Sequence, residues 1–433
     1  MFIHSFIGDI LVFEIEQVYA REILDSRGNP TVEVDVSTYC NDTRSRGFGR
    51  ASVPSGASTG SNEALELRDK DNRYRGKGVL TAVHNVNSIL GPEIIDMDVR
   101  LQREIDLTMI ELDGTDSKSN LGANAILGVS MAVARAAADS LKIPLYQYLG
   151  GTNSFTLPVP TLNVLNGGQH AGNDLAIQEF MIQPKGAETF HEAIRWASET
   201  YHALGDILNK KYGSSATNVG YEGGYAPHIN QTSDALDAIL EAIEEAGYTE
   251  DDITIGIDAA ASSFYENGIY HIDEGELTGI ELLDYYVNLV HTYPIILIED
   301  AFHEEAFDDF AALTMELPGT IIVGDDLFVT NVERLNHGIE MGACNSLLLK
   351  VNQIGSISEA FDAATTAQRN GYSVIVSHRS AETEDNTISD ISVALGAELI
   401  KTGAPARSER TAKYNQLMRI EEELGEAAFY MRI

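Results

Sequence analysis

I-I-L-I-E-D, Ile295 to Asp300, is an apolar run that ends abruptly in acid, and the pattern recurs along the second half of the chain. T-I-G-I-D ends at Asp258, I-I-V-G-D-D reaches Asp325, S-L-L-L-K ends at Lys350, S-V-I-V-S-H at His378 and E-L-I-K at Lys401. These terminal residues are 23 to 41 positions apart, the length that a strand, a helix and their loops require. Short apolar runs of this kind read as strands buried on both faces, and their alternation with helical stretches predicts parallel βα units. Closed into a barrel, such units bring their C-terminal strand ends to one face, where sites of this architecture are built. Three carboxylates, two lysines and a histidine are thereby predicted to converge.

Upstream of these runs only P-T-L-N-V-L-N, from Pro160, and Q-E-F-M-I-Q, from Gln178, read as strands, and a long helical pattern from Ala187 to Tyr212 follows them. The barrel is therefore expected to open irregularly, with two strands and then helices ahead of six strand-helix units. Nearer the N-terminus, the alternation of T-V-E-V-D-V-S, Thr31 to Ser37, predicts a sheet. The small-residue run A-I-L-G-V-S-M-A-V-A-R-A-A-A-D-S from Ala125 predicts a closely packed helix. The domains expected are an extension of unknown structure over 1–14, an α+β domain over 15–150 and the barrel over 151–433, with G-G-T-N-S at Gly150 to Ser154 as the link.

With 433 residues, 44% of them hydrophobic, the chain can bury large cores. Its 66 acidic against 29 basic residues leave a formal net charge of -37, which argues against nucleic acid as a partner, because phosphate would be repelled. Such an excess is expected of a protein adapted to a salt-rich cytoplasm, where a Debye length of roughly 3 Å at molar salt screens self-repulsion. Acidic runs such as Glu304 to Asp309 and Glu421 to Glu423 then read as solvated faces. Lysine is scarce, at ten residues, so Lys350 and Lys401 at strand ends stand out. Cys40 and Cys344 suggest no disulfide framework and a reducing compartment. No apolar run is long enough for a membrane span, and the N-terminal M-F-I-H-S-F-I lacks the basic start of a signal peptide. A cytoplasmic location is expected, with a secondary surface or secreted presence left open.

Carboxylates from separate strands offer the hard oxygen shell that Mg²⁺ prefers, which makes Asp258, Glu299 and Asp325 candidate ligands. A lysine beside such a centre, with an ordinary pKa of about 10.4, is expected to be pushed down by burial and neighbouring cations, so that Lys350 could take a proton. A lone Asp or Glu ending a strand is more often a helix cap. Six polar termini on successive units are not six independent caps.

Longer runs carry a resemblance. R-E-I-L-D-S-R-G-N-P-T-V-E-V-D from Arg21, V-P-S-G-A-S-T-G from Val53, N-G-G-Q-H-A-G-N from Asn166, Q-E-F-M-I from Gln178 and E-G-G-Y-A-P from Glu222 occur in order. G-D-D-L-F-V-T-N from Gly324, L-L-L-K-V-N-Q-I-G from Leu347, S-H-R-S from Ser377 and I-K-T-G-A-P-A-R-S-E-R from Ile400 continue the series, and with them the chain resembles the enolase family from about Ile15 to its C-terminus. The resemblance implies an α/β protein, a ββαα(βα)6 TIM-type barrel behind an α+β capping domain. It also implies reversible Mg²⁺-dependent dehydration of 2-phosphoglycerate to phosphoenolpyruvate, with two ions per active site, the second bound with substrate.

By the same resemblance Asp258, Glu299 and Asp325 hold the first ion, and Ser58, in the Ser55 to Gly60 loop, reaches the second. Lys350 is the base at C2, Glu222 supported by Glu179 is the acid at the C3 hydroxyl, and Lys401 faces the substrate carboxylate. Arg379 and Ser380 bind the phosphoryl group, with His170, Gln178 and His378 as further contacts. A homodimer or larger homo-oligomer is implied, with an ion pair between Glu33 and Arg419 across the interface. Three positions depart from the family pattern: Tyr221 where Asp usually precedes the catalytic Glu, Ala381 where Gly usually follows S-H-R-S, and Ala301 where many members have Pro. A racemase or sugar-acid dehydratase of the same superfamily would share the metal carboxylates but lack the Arg379 and Ser380 phosphate site. A scaffold protein would not need every ionisable group kept.

Overall fold

The structure, a computed structural model, describes residues 11–56, 60–273 and 275–433, apart from the side chain of Gln169. The antiparallel sheet β1 (Glu14–Leu24), β2 (Pro30–Cys40), β3 (Ser45–Ser52) opens it, with β2 in the centre. Successive side chains of a strand point to opposite faces. On β2 this buries Val32, Val34 and Val36 completely, while Glu33 and Asp35 face Arg21 and Arg50 on the other side. Helix α1 (Gln102–Asp113) packs against α2 (Ala123–Leu141), and α2 covers the sheet. The small residues of α2 and a glycine opposite permit that contact, since a Cβ on Gly49 would lie 2.1 Å from the Ala132 carbonyl oxygen.

The second half begins with β4 (Val159–Asn166) and β5 (Glu179–Gln183), followed by α3 (Phe190–Tyr212) and α4 (Thr232–Glu245). Six βα units complete it: β6 (Thr254–Asp258) and α5 (Gly279–Thr292), β7 (Ile295–Glu299) and α6 (Phe307–Glu316), β8 (Ile321–Gly324) and α7 (Val332–Met341). Then come β9 (Ser346–Leu349) and α8 (Ile357–Arg369), β10 (Ser373–Ser377) and α9 (Thr387–Leu395), β11 (Leu399–Lys401) and α10 (Ser408–Leu424). The eight strands close in the order β7-β8-β9-β10-β11-β4-β5-β6, the ββαα(βα)6 arrangement. β5 runs antiparallel to both neighbours, and in register Glu179 pairs with Asn166 of β4 and Asp258 of β6.

The cap is bound to the barrel through buried polar contacts. Asp106 of α1 accepts from the Ser358 amide at 3.1 Å and the Ser358 hydroxyl at 2.6 Å, at the N-terminus of α8. Burial pushes its carboxyl up. Lys118, itself buried, donates to Glu359 at 2.9 Å, and Ser55 and Ala381 exchange two backbone hydrogen bonds at 2.9 Å each. The φ of Ala381 is not positive, so the missing glycine costs no strain there.

In the two acidic runs Glu305, Asp308, Glu422 and Glu423 are exposed, as solvated faces require, but one member of each run holds structure together instead. Glu304 accepts from the amide and hydroxyl of Ser61 at 3.1 and 2.8 Å, tying the cap to the barrel. Glu421 accepts from the Phe190 and His191 amides at 2.6 and 2.9 Å, where it neutralises the positive end of α3. Both are half-buried, so their oxygens are better satisfied by these donors than by water alone. Of the expected N-terminal extension, residues 1–10 lie outside the described residues, and Phe13 packs under the Arg100 guanidinium. Among the described residues no helix is long and apolar enough to cross a membrane.

Candidate active site

Asp258, Glu299 and Lys401 close β6, β7 and β11, and Asp325, Lys350 and His378 immediately follow β8, β9 and β10. Because β5 is reversed, its first residue, Glu179, reaches the same rim. One cavity is lined by Asp258, Asp325, Lys350, His378 and Lys401 together with His170, Gln178, Glu179, Glu222, Arg379 and Ser380. Glu299 lies beside it, against Lys401. Ser58 lies outside the described residues.

The Lys401 ammonium is 2.9 Å from Asp258 Oδ2, 2.9 and 2.8 Å from the two Glu299 oxygens and 3.1 Å from Glu179 Oε2. Burial, then the charge of Asp258, pushes the Glu299 carboxyl well up. Lys350 pairs directly with Asp325. Asp325 also accepts from Gln353 Nε2 at 2.8 Å, and the Asp325 and Asp326 amides donate to Asp300 at 2.9 and 3.0 Å. Around Lys350 the carboxylates of the rim set the direction of the shift. Burial lowers its pKa, and Arg379 and Lys401 add to that, but the carboxylates facing it, Asp325 first and then Glu299, together hold the ammonium above its ordinary range.

On the other side of the cavity Glu222 is buried, accepts from Asn163 Nδ2 at 3.0 Å and lies 3.2 Å from His378 Nε2. His170 Nδ1 stands between two carboxyls, 3.5 Å from Glu179 and 3.7 Å from Glu222. Burial and the neighbouring Glu222 charge push Glu179 well up. Burial acts on Glu222 in the same sense, but His378 and His170 outweigh it and hold that carboxyl well below its usual range. The two carboxyls are therefore pushed in opposite directions, Glu179 up and Glu222 down. Burial brings His378 down to about 3, so its ring is neutral at physiological pH. The Tyr221 ring is 42% exposed, 5.4 Å from the Arg27 guanidinium and edge-on to the His170 ring at 6.4 Å.

At the same cavity the Arg379 guanidinium forks onto Glu63 at 2.9 and 3.0 Å and donates to Asn352 Oδ1 at 3.0 Å. Its backbone amide donates to Glu382 at 3.1 Å. Sequence reasoning missed Asn163, Asp300, Asp326, Glu63, Asn352, Gln353 and Arg410. Asn163 carried a signal, a polar residue inside an otherwise apolar strand, as did the second acids of the E-D and D-D pairs. Arg410 carried none, since S-E-R at a helix start reads as exposed charge.

These residues fit a magnesium ion. The donors are hard oxygens, and among the described residues Asp300, Asp325 and Asp326 bring carboxylate oxygens within 4.8 Å of one another, as the donors of His170, Glu179 and Glu222 do. Asp258 and Glu299 converge on the Lys401 ammonium, so their cleft already stabilises a cation.

Acid–base chemistry on a small anionic substrate, in a capped βα barrel, is the class that this fold and rim define. Comparison with known proteins narrows it. The profile described as enolase, N-terminal domain, matches residues 15–149, and that of the enolase C-terminal TIM barrel domain matches residues 154–432. A protein named enolase from Methanosarcina barkeri is 72% identical over 433 residues, 99% of this chain and 100% of that protein. Enolases of Methanocaldococcus jannaschii and Pyrococcus furiosus are 63% and 62% identical, spanning 95% and 96% of this chain and 96% and 97% of theirs. The chain belongs to the enolase family.

Proposed function

We propose that Lys350 removes the proton from the carbon beside the substrate carboxylate and that the Glu179 and Glu222 pair hands a proton to the departing hydroxyl. As a member of its family the chain is a phosphopyruvate hydratase, a carbon–oxygen lyase interconverting 2-phosphoglycerate and phosphoenolpyruvate. One observation carries the division of roles. Lys350 follows β9 and Glu179 begins β5, four strands apart around a closed eight-stranded barrel, so one proton leaves and the other arrives from opposite sides of a substrate held between them.

Loss of a proton beside a carboxylate gives a doubly charged enediolate, and groups preorganised toward that charge supply most of the rate. Lys401 is one of them. Asp258, Glu299 and Asp325 would hold a magnesium ion, which would supply further positive charge toward the enediolate; with Asp325 so engaged, Lys350 would be free to take the proton. Two ions per site are proposed, the second with Ser58. Arg379 takes the phosphoryl group with Ser380, because the fork that meets the Glu63 carboxylate also matches phosphate oxygens. His170 and Gln178 complete the substrate contacts, and His378 acts beside Glu222.

The test is the rise in ultraviolet absorbance as the conjugated enol product forms from 2-phosphoglycerate with magnesium. Lys350→Ala should abolish it, and normal turnover in that variant would refute the base assignment. We also propose a cytoplasmic homo-oligomer in which the exposed Arg419 meets Glu33 of a second copy, joining a carboxylate that already accepts from Arg21 at 2.6 Å. Arg419→Glu should sediment at lower mass than the parent. An unchanged mass would exclude that contact.

A further inference from the structure

Arg410, on α10, is completely buried and uses its two terminal nitrogens on four acceptors. Nη1 lies 2.6 Å from His378 Nδ1 and donates to the Arg379 carbonyl at 2.6 Å; Nη2 donates to the Tyr221 carbonyl at 3.1 Å and the Ser380 carbonyl at 2.7 Å. Those carbonyls belong to the two segments that carry Glu222 and the phosphoryl site. Gly403, at φ +82°, leaves the guanidinium room, since a Cβ there would stand 2.9 Å from Arg410 Cδ and 2.7 Å from the Glu222 carbonyl oxygen. Three residues along α10, Lys413 holds the same strap from its far end, donating to Glu382 at 2.8 Å and to the Thr383 carbonyl at 2.7 Å.

A guanidinium has no acceptor and does not deprotonate in proteins. Facing it at 2.6 Å, His378 Nδ1 can only accept, and the proton of a neutral imidazole must then sit on Nε2. Nε2 is the nitrogen 3.2 Å from Glu222. The other tautomer would set two donors against each other at Nδ1 and two acceptors against each other at Nε2, both inside a buried site. We propose that Arg410 is a positioning residue of the acid side, fixing His378 as the tautomer whose Nε2–H faces Glu222 and keeping the Glu222 and Arg379 segments in register. This rests on the reading that the Glu179 and Glu222 pair handles the proton of the departing hydroxyl.

The experiment is ¹⁵N nuclear magnetic resonance of the full-length protein labelled at histidine, without substrate, beside steady-state kinetics of R410K. In the parent, His378 should show an unprotonated Nδ1 and a protonated Nε2; a protonated Nδ1 overturns the proposal, whether or not any variant folds. R410K keeps the charge but cannot reach all four acceptors. It should show a changed or mixed His378 tautomer and a kcat lowered about 30-fold or more, the rate equivalent of one lost charge-assisted hydrogen bond, with a smaller change in KM. Parental kcat and parental tautomer together in a folded R410K overturn it equally. E222Q separates the two readings: full turnover there, with the Nε2–H tautomer intact, sinks the acid-side assignment while the tautomer assignment is upheld.

Discussion

Lys401→Met offers the most direct view of how this site balances its charge. The substitution keeps a long, unbranched side chain and removes the one ammonium that lies within 3.1 Å of Glu179, Asp258 and Glu299. Breaking a buried pair by removing one partner costs about 3–5 kcal/mol, because a charge is left unpaired in a poorly solvated place. The stranded carboxylates respond by binding protons. Glu179 and Glu299 already sit well above their ordinary values, and without Lys401 both move further up. An acid whose folded pKa exceeds its unfolded one binds more protons in the native state between those values, so stability falls as pH rises through that window. The deficit of the variant should therefore be smallest in mild acid and largest above neutrality. Urea unfolding of the barrel transition, in the presence of a chelator, should show about 3–5 kcal/mol lost at pH 8 and clearly less at pH 5.5. Magnesium should recover part of the loss, since an ion binding only the folded state at about 100 times its dissociation constant adds about 2.7 kcal/mol. A deficit under about 1 kcal/mol that stays flat with pH would show that Lys401 does not neutralise these carboxylates.

Three further outcomes follow from features outside the rim. Burial raises the Asp390 carboxyl on α9 to about 6, so the native protein loses stability as pH climbs from about 4 to 6, by up to about 3 kcal/mol. Asp390→Asn should gain on the parent by that amount between pH 4 and 7.5 in thermal melts, and a constant difference would refute the shift. Gly49→Ala drives a Cβ to 2.1 Å from the Ala132 carbonyl and 2.4 Å from the Ala136 nitrogen; both are backbone atoms that cannot swing aside, so calorimetry should register a loss of about 3 kcal/mol or more. With a net charge of -37, the melting temperature should rise as KCl is taken from about 0.1 to 1 M and the Debye length shrinks from about 10 to 3 Å. Equal melting temperatures at both salts would dismiss salt adaptation.

The parallel strands were legible because a strand buried on both faces is apolar through most of its length, so each of the six runs announced its own rim residue at its C-terminal end. Direction was not legible for β5. Nothing in Q-E-F-M-I-Q distinguishes a strand that ends at the rim from one that starts there, and only the pairing with β4 and β6 shows that Glu179 arrives from the N-terminal end. The pairing of Lys350 with Asp325 was also beyond reach, since it depends on how the ends of neighbouring strands face each other. Glu304 and Glu421 failed for a related reason: a run of acids carries no mark of which member meets a backbone amide. Arg410 is the extreme case, a charged residue among charged neighbours whose burial depends wholly on where the Tyr221 and Arg379 segments lie.

The distribution of lysine joins the acidic composition to the site. Of ten lysines in the chain, Lys118, Lys401 and Lys413 are at most 3% exposed, and the Lys350 side chain is 13% exposed. Each meets a carboxylate: Glu359 at the joint between cap and barrel, the Asp258 and Glu299 cleft, Glu382 behind the Arg379 segment, and Asp325 at the rim. A surface lysine pairs weakly and is screened by salt, so replacing it with acid costs little. A buried lysine cannot be given up, because its partner would remain as an unpaired charge away from water. Exposed and buried carboxylates thus differ in how far salt screens them, and this makes the salt response separable. Added KCl should act on the exposed carboxylates and leave the buried pairs untouched, so the KCl-dependent gain in melting temperature should be nearly the same in Lys401→Met as in the parent. A gain that vanished in that variant would place the salt effect inside the active site instead.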